Sequence, residues 1–268
     1  MRLFYQSFGV SRGSRDGLYA QALKRIIQKA AAPGTEITVD GLSPHRAIAD
    51  QYRYLELLDT VEVTEKGLQA EKDGYDAFLV GNIFEPGVPE LRELLNIPVL
   101  GLRESSIQVA CLMGASFSLI NVNPKFVPRI MEGVRNQGVM SRLASVETMT
   151  VERPGVFDLA FRDHDARAEV VRQFTEAANR SIEKGAEVLI PAGGSLMTVL
   201  TEAGIHEVNS TPVLNGPLAL VKTAELAVQI KQLSGVFTSK RMTYAPPTGK
   251  LLTDIRNAYG QHVYPGAT

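Results

Sequence analysis

Short apolar runs alternate with longer amphipathic stretches along most of the chain. Arg2–Phe8, Glu36–Val39, Ala77–Val80 and Pro98–Leu102 read as strands, being apolar segments bounded by turn residues. Between the first two, Leu18, Tyr19, Ala22, Leu23, Ile26 and Ile27 recur at helical spacing. Ala47–Lys72 carries a helical pattern, with Tyr52, Leu55, Leu58 and Leu68 as core positions and a break near Thr60–Val63. A second series follows. Helix Ser105–Met113, strand Phe117–Val122, helix Lys125–Gln137, strand Leu143–Thr148 and helix Ala166–Lys184 lead to strand Val188–Ile190 and a helix from Ser195. Strand Pro212–Leu214 and helix Pro217–Leu233 close the series. The polar stretch Val151–Asp165 reads as a long connection of the kind used for lids and interfaces. The tail from Val236 is irregular until Leu251–Tyr259.

This alternation predicts an α/β protein with mostly parallel sheets. Its two halves also resemble one another. Asp76-Ala-Phe-Leu-Val-Gly-Asn, continued by Ile97-Pro-Val-Leu-Gly101, parallels Glu187-Val-Leu-Ile-Pro-Ala, continued by Thr211-Pro-Val-Leu-Asn215. One explanation is that any two strand–helix–strand units look alike. The other is an internal duplication: two similar flavodoxin- or Rossmann-like lobes about a pseudo-twofold cleft. The lobes would be residues 1–104 with 216–235, and 105–215, leaving 236–268 as a tail that serves as an interface or lid. Ligands of open α/β sheets bind beyond the carboxyl ends of the strands, so the loops after each strand should line that cleft.

Within this plan, Glu187-Val-Leu-Ile-Pro-Ala-Gly-Gly-Ser-Leu-Met-Thr-Val-Leu200 is the most informative stretch. A buried strand stops at Pro191, a Gly-Gly pair turns the backbone, and a helix begins at Ser195. N–H groups at a helix start lack intrahelical partners and favour an anion. Ser195 would either cap that helix or touch a ligand.

Composition removes several function classes. In 268 residues, hydrophobic content of 44% and charged content of 21% are those of an ordinary globular chain. A net charge of -1, without a Lys/Arg cluster, gives no field for nucleic acid. No apolar run is long enough for a membrane span, and no signal-peptide core precedes the first strand. One cysteine excludes an internal disulfide and fits a reducing cytoplasm. The histidines at 45, 164, 206 and 262 lack metal-ligand spacing, so no metal is expected. The glycines of Gly9–Gly17 are wrongly spaced for a dinucleotide loop.

Four segments resemble the Asp/Glu/hydantoin racemase superfamily, its hydantoin-racemase branch in particular. They are Glu85-Pro-Gly-Val-Pro-Glu-Leu-Arg-Glu93, Ile97-Pro-Val-Leu-Gly-Leu-Arg-Glu104, Ser116-Phe-Ser-Leu-Ile-Asn-Val-Asn-Pro124 and Thr211-Pro-Val-Leu-Asn-Gly216. The resemblance covers the chain to about Gly235. It implies two similar α/β domains with the active site between them, homo-oligomers, and no cofactor. In the family, one thiolate removes the proton beside a carbonyl and a second thiol returns one from the opposite face. Here the resemblance puts Asn82 and Ala192 at the two thiol positions. Neither can act as a base near neutral pH. Cys111, in an apolar helix, reads as a small buried hydrophobe. The two-thiol mechanism is therefore set aside.

Candidate site residues follow from the loops. Asn82 offers an amide, or simply ends a strand in a turn. Gly193, Gly194 and Ser195 offer backbone donors and a hydroxyl. By the resemblance, Gln6 and Ser7 end the first strand where the family holds substrate carboxylate or amide groups, and Asn215 and Gly216 occupy the matching loop of the second half. Glu85 and Glu104 are the acid–base candidates, since a carboxyl in an apolar pocket has its pKa raised; solvation and helix capping are their ordinary roles. His45 is a weaker candidate. Tyr52 and Tyr54 read as core or interface, and His164 as solvated loop charge. The expectation is a cofactor-free enzyme acting on a small carboxylate, amide or cyclic ureide through an enolate-like or tetrahedral oxyanion. Its chemistry would be that of a hydrolase, a lyase or decarboxylase, or a one-base isomerase. The alternative is a non-catalytic protein that binds a small anion.

Overall fold

The computed structural model describes residues 1–11, 17–43, 52–149 and 156–268. Strand β1 (Arg2–Ser11) runs parallel between β2 (Glu36–Leu42) and β3 (Ala77–Gly81), and β4 (Val99–Gly101) follows β3, giving the order β2-β1-β3-β4. A second parallel sheet has β5 (Phe117–Asn121) between β6 (Leu143–Thr148) and β7 (Val188–Pro191). Val213 then bridges Leu189 of β7 in parallel, in the place that β4 takes beside β3. The same 2-1-3-4 order therefore recurs in both halves. The strand expected over Pro212–Leu214 contracts to that one bridge, because Thr211–Pro212 (β9) instead pairs antiparallel with Glu207–Val208 (β8).

Both faces of each sheet are covered, which explains why the strands read as unbroken apolar runs. Leu3 and Tyr5 of β1, Ala77 and Leu79 of β3, Phe117 and Leu119 of β5, and Val188 and Ile190 of β7 enter one central core. Helices α1 (Leu18–Ala30), α4 (Leu102–Met113), α5 (Val127–Asn136) and α9 (Gly216–Ser234) also feed that core. The alternate residues Phe78, Val80 and Val99 pack with α2 (Arg53–Lys72) and α3 (Val88–Leu94). Ile120 and Leu189 pack with α7 (His164–Glu183) and α8 (Gly194–Glu202).

Helix α2 corrects the pattern reading. It runs unbroken through Thr60–Val63, and Tyr52, Leu55 and Leu58 are 53%, 37% and 39% exposed, while Tyr54 is also exposed. The buried face is Asp59, Glu62, Val63, Gly67 and Ala70. Gly67 is needed because a Cβ there would collide with Leu91 of α3. Buried Glu62 is satisfied by the Ser43 N–H at 2.9 Å and hydroxyl at 3.1 Å. Glu62 thus faces inward because it has partners, while the larger Leu55, Leu57 and Leu58 face outward.

Within the connection Val151–Asp165, Val156–Ala160 forms a short helix, α6, and Asp163 caps α7 by accepting the Ala166 N–H at 2.8 Å. His164 is solvated beside Asp165, as expected. The tail folds back on α3. Lys240 donates to the carbonyls of Arg92, Glu93 and Leu95, and Tyr264, beyond helix α10 (Gly249–Tyr259), donates to Glu93. Among the described residues, no helix is long and apolar enough to cross a membrane.

Candidate active site

Parallel register brings the strand ends together. Ser7 of β1 lies opposite Gly81, the last residue of β3, so Gln6 and Ser7 sit beside Asn82, although β1 runs on to Ser11 and does not end at them as expected. In the second sheet the Ala192 N–H donates to the Ile120 carbonyl at 2.7 Å, which carries the chain off β7 beside β5. The two ends then meet: a Cβ on Gly194 would lie 3.6 Å from the Gly81 carbonyl and 3.3 Å from the Tyr19 hydroxyl. Tyr19, on α1, is buried, and its hydroxyl lies within reach of those of Ser7 and Ser195. Burial pushes that phenol up to about 12, so it stays neutral. The sequence had shown Tyr19 only as one residue in a helical stripe; nothing in that stripe marks a hydroxyl aimed at strand ends.

The helix start at α8 needs one correction. The Gly193 N–H donates to Pro191 at 3.1 Å and is therefore not available to a ligand, since the tight turn uses it. The N–H groups of Gly194 and Ser195, in the first turn of the helix, find no acceptor among the described residues. The donors move one residue along. Ser195 does not cap α8, whose N-cap is Gly193; its hydroxyl lies near that of Tyr19.

Asn82 is buried, and its Oδ1 accepts the Phe84 N–H at 2.7 Å, an Asx turn that leaves the NH2 end for other contacts. Gln6 is fully buried and donates to the Ser7 carbonyl at 2.9 Å, while its Oε1 has no partner among the described residues. Asn215 is engaged at both ends: it caps α9 by accepting the Leu218 N–H at 3.0 Å and donates to Thr201 at 3.0 Å. Gly216 is closely packed, because a Cβ there would meet Met197 and the Ser106 hydroxyl. These two residues build the turn into α9, so the Asn215 side chain is engaged in holding that helix start. His45 lies outside the described residues.

The two carboxylates hold the start of α4. Its N-cap, Gly101, has no side chain to accept the N–H of the third helical residue. Glu85 supplies that acceptor from the loop after β3, taking the Glu104 N–H at 2.6 Å, with Arg103 2.6 Å from its other oxygen. Glu104 reaches back to the Gly101 N–H at 2.9 Å and pairs with Arg92. Burial, aided by the nearby Glu104 charge, pushes Glu85 up to about 7 despite Arg103. Sequence reasoning missed the wall beside this loop. Phe84 meets Phe126 edge-on at 4.9 Å, and the Arg129 guanidinium lies 3.7 Å over the Phe84 ring while pairing with Glu56. Loops from both sheets are thereby joined.

The Asp/Glu/hydantoin racemase family description matches residues 18–224. The chain belongs to this family. It is 28% identical over 244 residues to a hydantoin racemase of Pseudomonas sp. (strain NS671), covering 90% of this chain and 92% of that one. Allantoin racemase from Pseudomonas fluorescens superposes with a TM-score of 0.70 at 27% identity, over 93% of this chain and 98% of that one. The fold is also that of allantoin racemase from Klebsiella pneumoniae, with a TM-score of 0.74 at 22% identity over 93% and 95% of the two chains. In this family member, the positions that the resemblance assigns to the two thiols, Asn82 and Ala192, adjoin the Gly81–Gly194 approach, and neither carries sulfur. Cys111 is half-buried rather than buried, at the edge of the central core. It sits near the far end of α4, about 13 Å along the axis from the helix start at a rise of about 1.5 Å per residue.

Proposed function

We propose that this chain is a cofactor-independent isomerase of a small cyclic ureide of the hydantoin or allantoin kind. It would invert the carbon beside a ring carbonyl through an enolate-like anion, Glu85 taking the proton and a solvent water returning one to the opposite face, without a thiol pair. The lobes clasping the ring would be residues 1–104 with 216–235, and residues 105–215. The observation that carries this reading is the approach of the α8 helix start to the end of β3. There, the Gly194 and Ser195 N–H groups and the Tyr19 hydroxyl offer donors for an oxygen that becomes negative as the proton leaves. Hydantoin and allantoin racemases that span nearly the whole chain support the ureide class. Glu85, pushed up to about 7, is the carboxyl whose affinity suits proton transfer near neutral pH. It must first release Arg103 or the Glu104 N–H.

Polarimetry on enantiopure 5-benzylhydantoin and on enantiopure allantoin tests this reading. Rotation should decay faster than the uncatalysed rate with wild-type protein, and at that background rate with Glu85→Gln. A second reading, a non-catalytic binder of the same ureides, is favoured by the structural engagement of Glu85 and Glu104. That reading requires thermal stabilisation by hydantoin with no change in the decay of rotation.

A further inference from the structure

We propose that Tyr19 is a catalytic residue of this site, donating from its phenol to the ureide carbonyl oxygen as that oxygen turns negative. The inference rests on the ureide reading above and adds a residue to it. Three observations carry it. The first is position: Tyr19 projects from α1 of the first half to the start of α8 in the second, and its hydroxyl lies within reach of Ser7 on β1 and of Ser195 in the first turn of α8. The second is proximity. The Tyr19 hydroxyl lies 3.3 Å from where a Cβ on Gly194 would stand, so it adjoins the Gly194 and Ser195 N–H groups that find no acceptor among the described residues. One ligand oxygen can take hydrogen bonds from the phenol and from those N–H groups together.

The third is the neighbouring Tyr5. It is 1% exposed, its hydroxyl has no partner among the described residues, and it lies within electrostatic reach of Tyr19. It also flanks the same strand end, since a Cβ on Gly81 would fall 2.7 Å from it. A buried hydroxyl without a partner is costly, and at a strand end it points to a polar ligand. The proton count agrees. A phenol oxygen can accept from both serine hydroxyls and keep its own proton to donate. Burial keeps that proton in place, because the charged form is disfavoured, so Tyr19 acts as a donor and not as the base.

Tyr19→Phe tests this, because the ring still packs 5.8 Å from Phe161 while the hydroxyl is gone. Turnover of 5-benzylhydantoin should fall about 100-fold in kcat with KM changed less than about threefold, as for loss of an oxyanion donor. Barbiturate, a planar ureide anion at neutral pH, supplies a second readout that needs no turnover; calorimetry should show its affinity weakened at least about tenfold. Equal kcat and equal barbiturate affinity in the two proteins would overturn the role of Tyr19 and leave the isomerase reading intact. A wild type that binds barbiturate and turns over nothing, with binding lost in Tyr19→Phe, would remove the isomerase and keep the tyrosine contact. A wild type that neither binds nor turns over would remove both.

Discussion

Gly101 begins a helix with nothing to cap it, and two glutamates from different parts of the chain make good the lack. Glu104→Ala removes both the acceptor for the Gly101 N–H and the partner of Arg92, and should cost about 2 kcal/mol in denaturant unfolding. Glu85 should leave a pH signature. Its folded pKa, about 7, lies above the ordinary 4.5, so the native state holds a proton there that the unfolded chain has released. Its contribution to stability is therefore full below pH 4.5 and is lost as pH rises through about 7. Melting temperatures across that window should fall more steeply for wild type than for Glu85→Gln; parallel curves would mean that Glu85 is ionised throughout. The sequence named both carboxylates as acid–base candidates with helix capping as the ordinary role, and both do hold a helix start. It could not show their engagement, because Arg103 and the glycine cap become partners only once the loop after β3 lies against α4.

At the scale of elements, the strands were legible because a two-sided burial demands continuous apolar runs, and the helices α1, α7 and α9 because each buries one stripe. Helix α2 was misread on the same logic. Its large apolar side chains lie outward, while Glu62 and Asp59 are buried, and periodicity cannot anticipate a carboxylate whose partner is the Ser43 backbone. The tail was equally opaque. Lys240 closes the end of α3 by donating to three carbonyls, a contact across more than a hundred residues of sequence that no local pattern announces. Lys240→Met keeps most of the side-chain stem and deletes these bonds. It should lower stability by about 2 kcal/mol and leave a ureide's affinity unchanged, as calorimetry on hydantoin would show.

For the whole molecule, the recurrence of one strand order in two sheets does the organising. Parallel strands send all their carboxyl ends one way, and the shared core turns the two sets of ends toward each other until Gly194 lies against Gly81. The sequence announced the repeated strand order through the match between Asp76–Gly101 and Glu187–Asn215. It did not reveal Tyr19, whose hydroxyl acquires meaning only when α1 is set between the halves. The most direct test is by NMR: an enantiopure 5-substituted hydantoin in D2O with the protein, following loss of the proton on the carbon beside the ring carbonyl. An isomerase working through an enolate-like anion should replace that proton with deuterium as optical activity decays, and Glu85→Gln should stop both. Retention of the proton at the uncatalysed rate, in the presence of saturating protein, would contradict it.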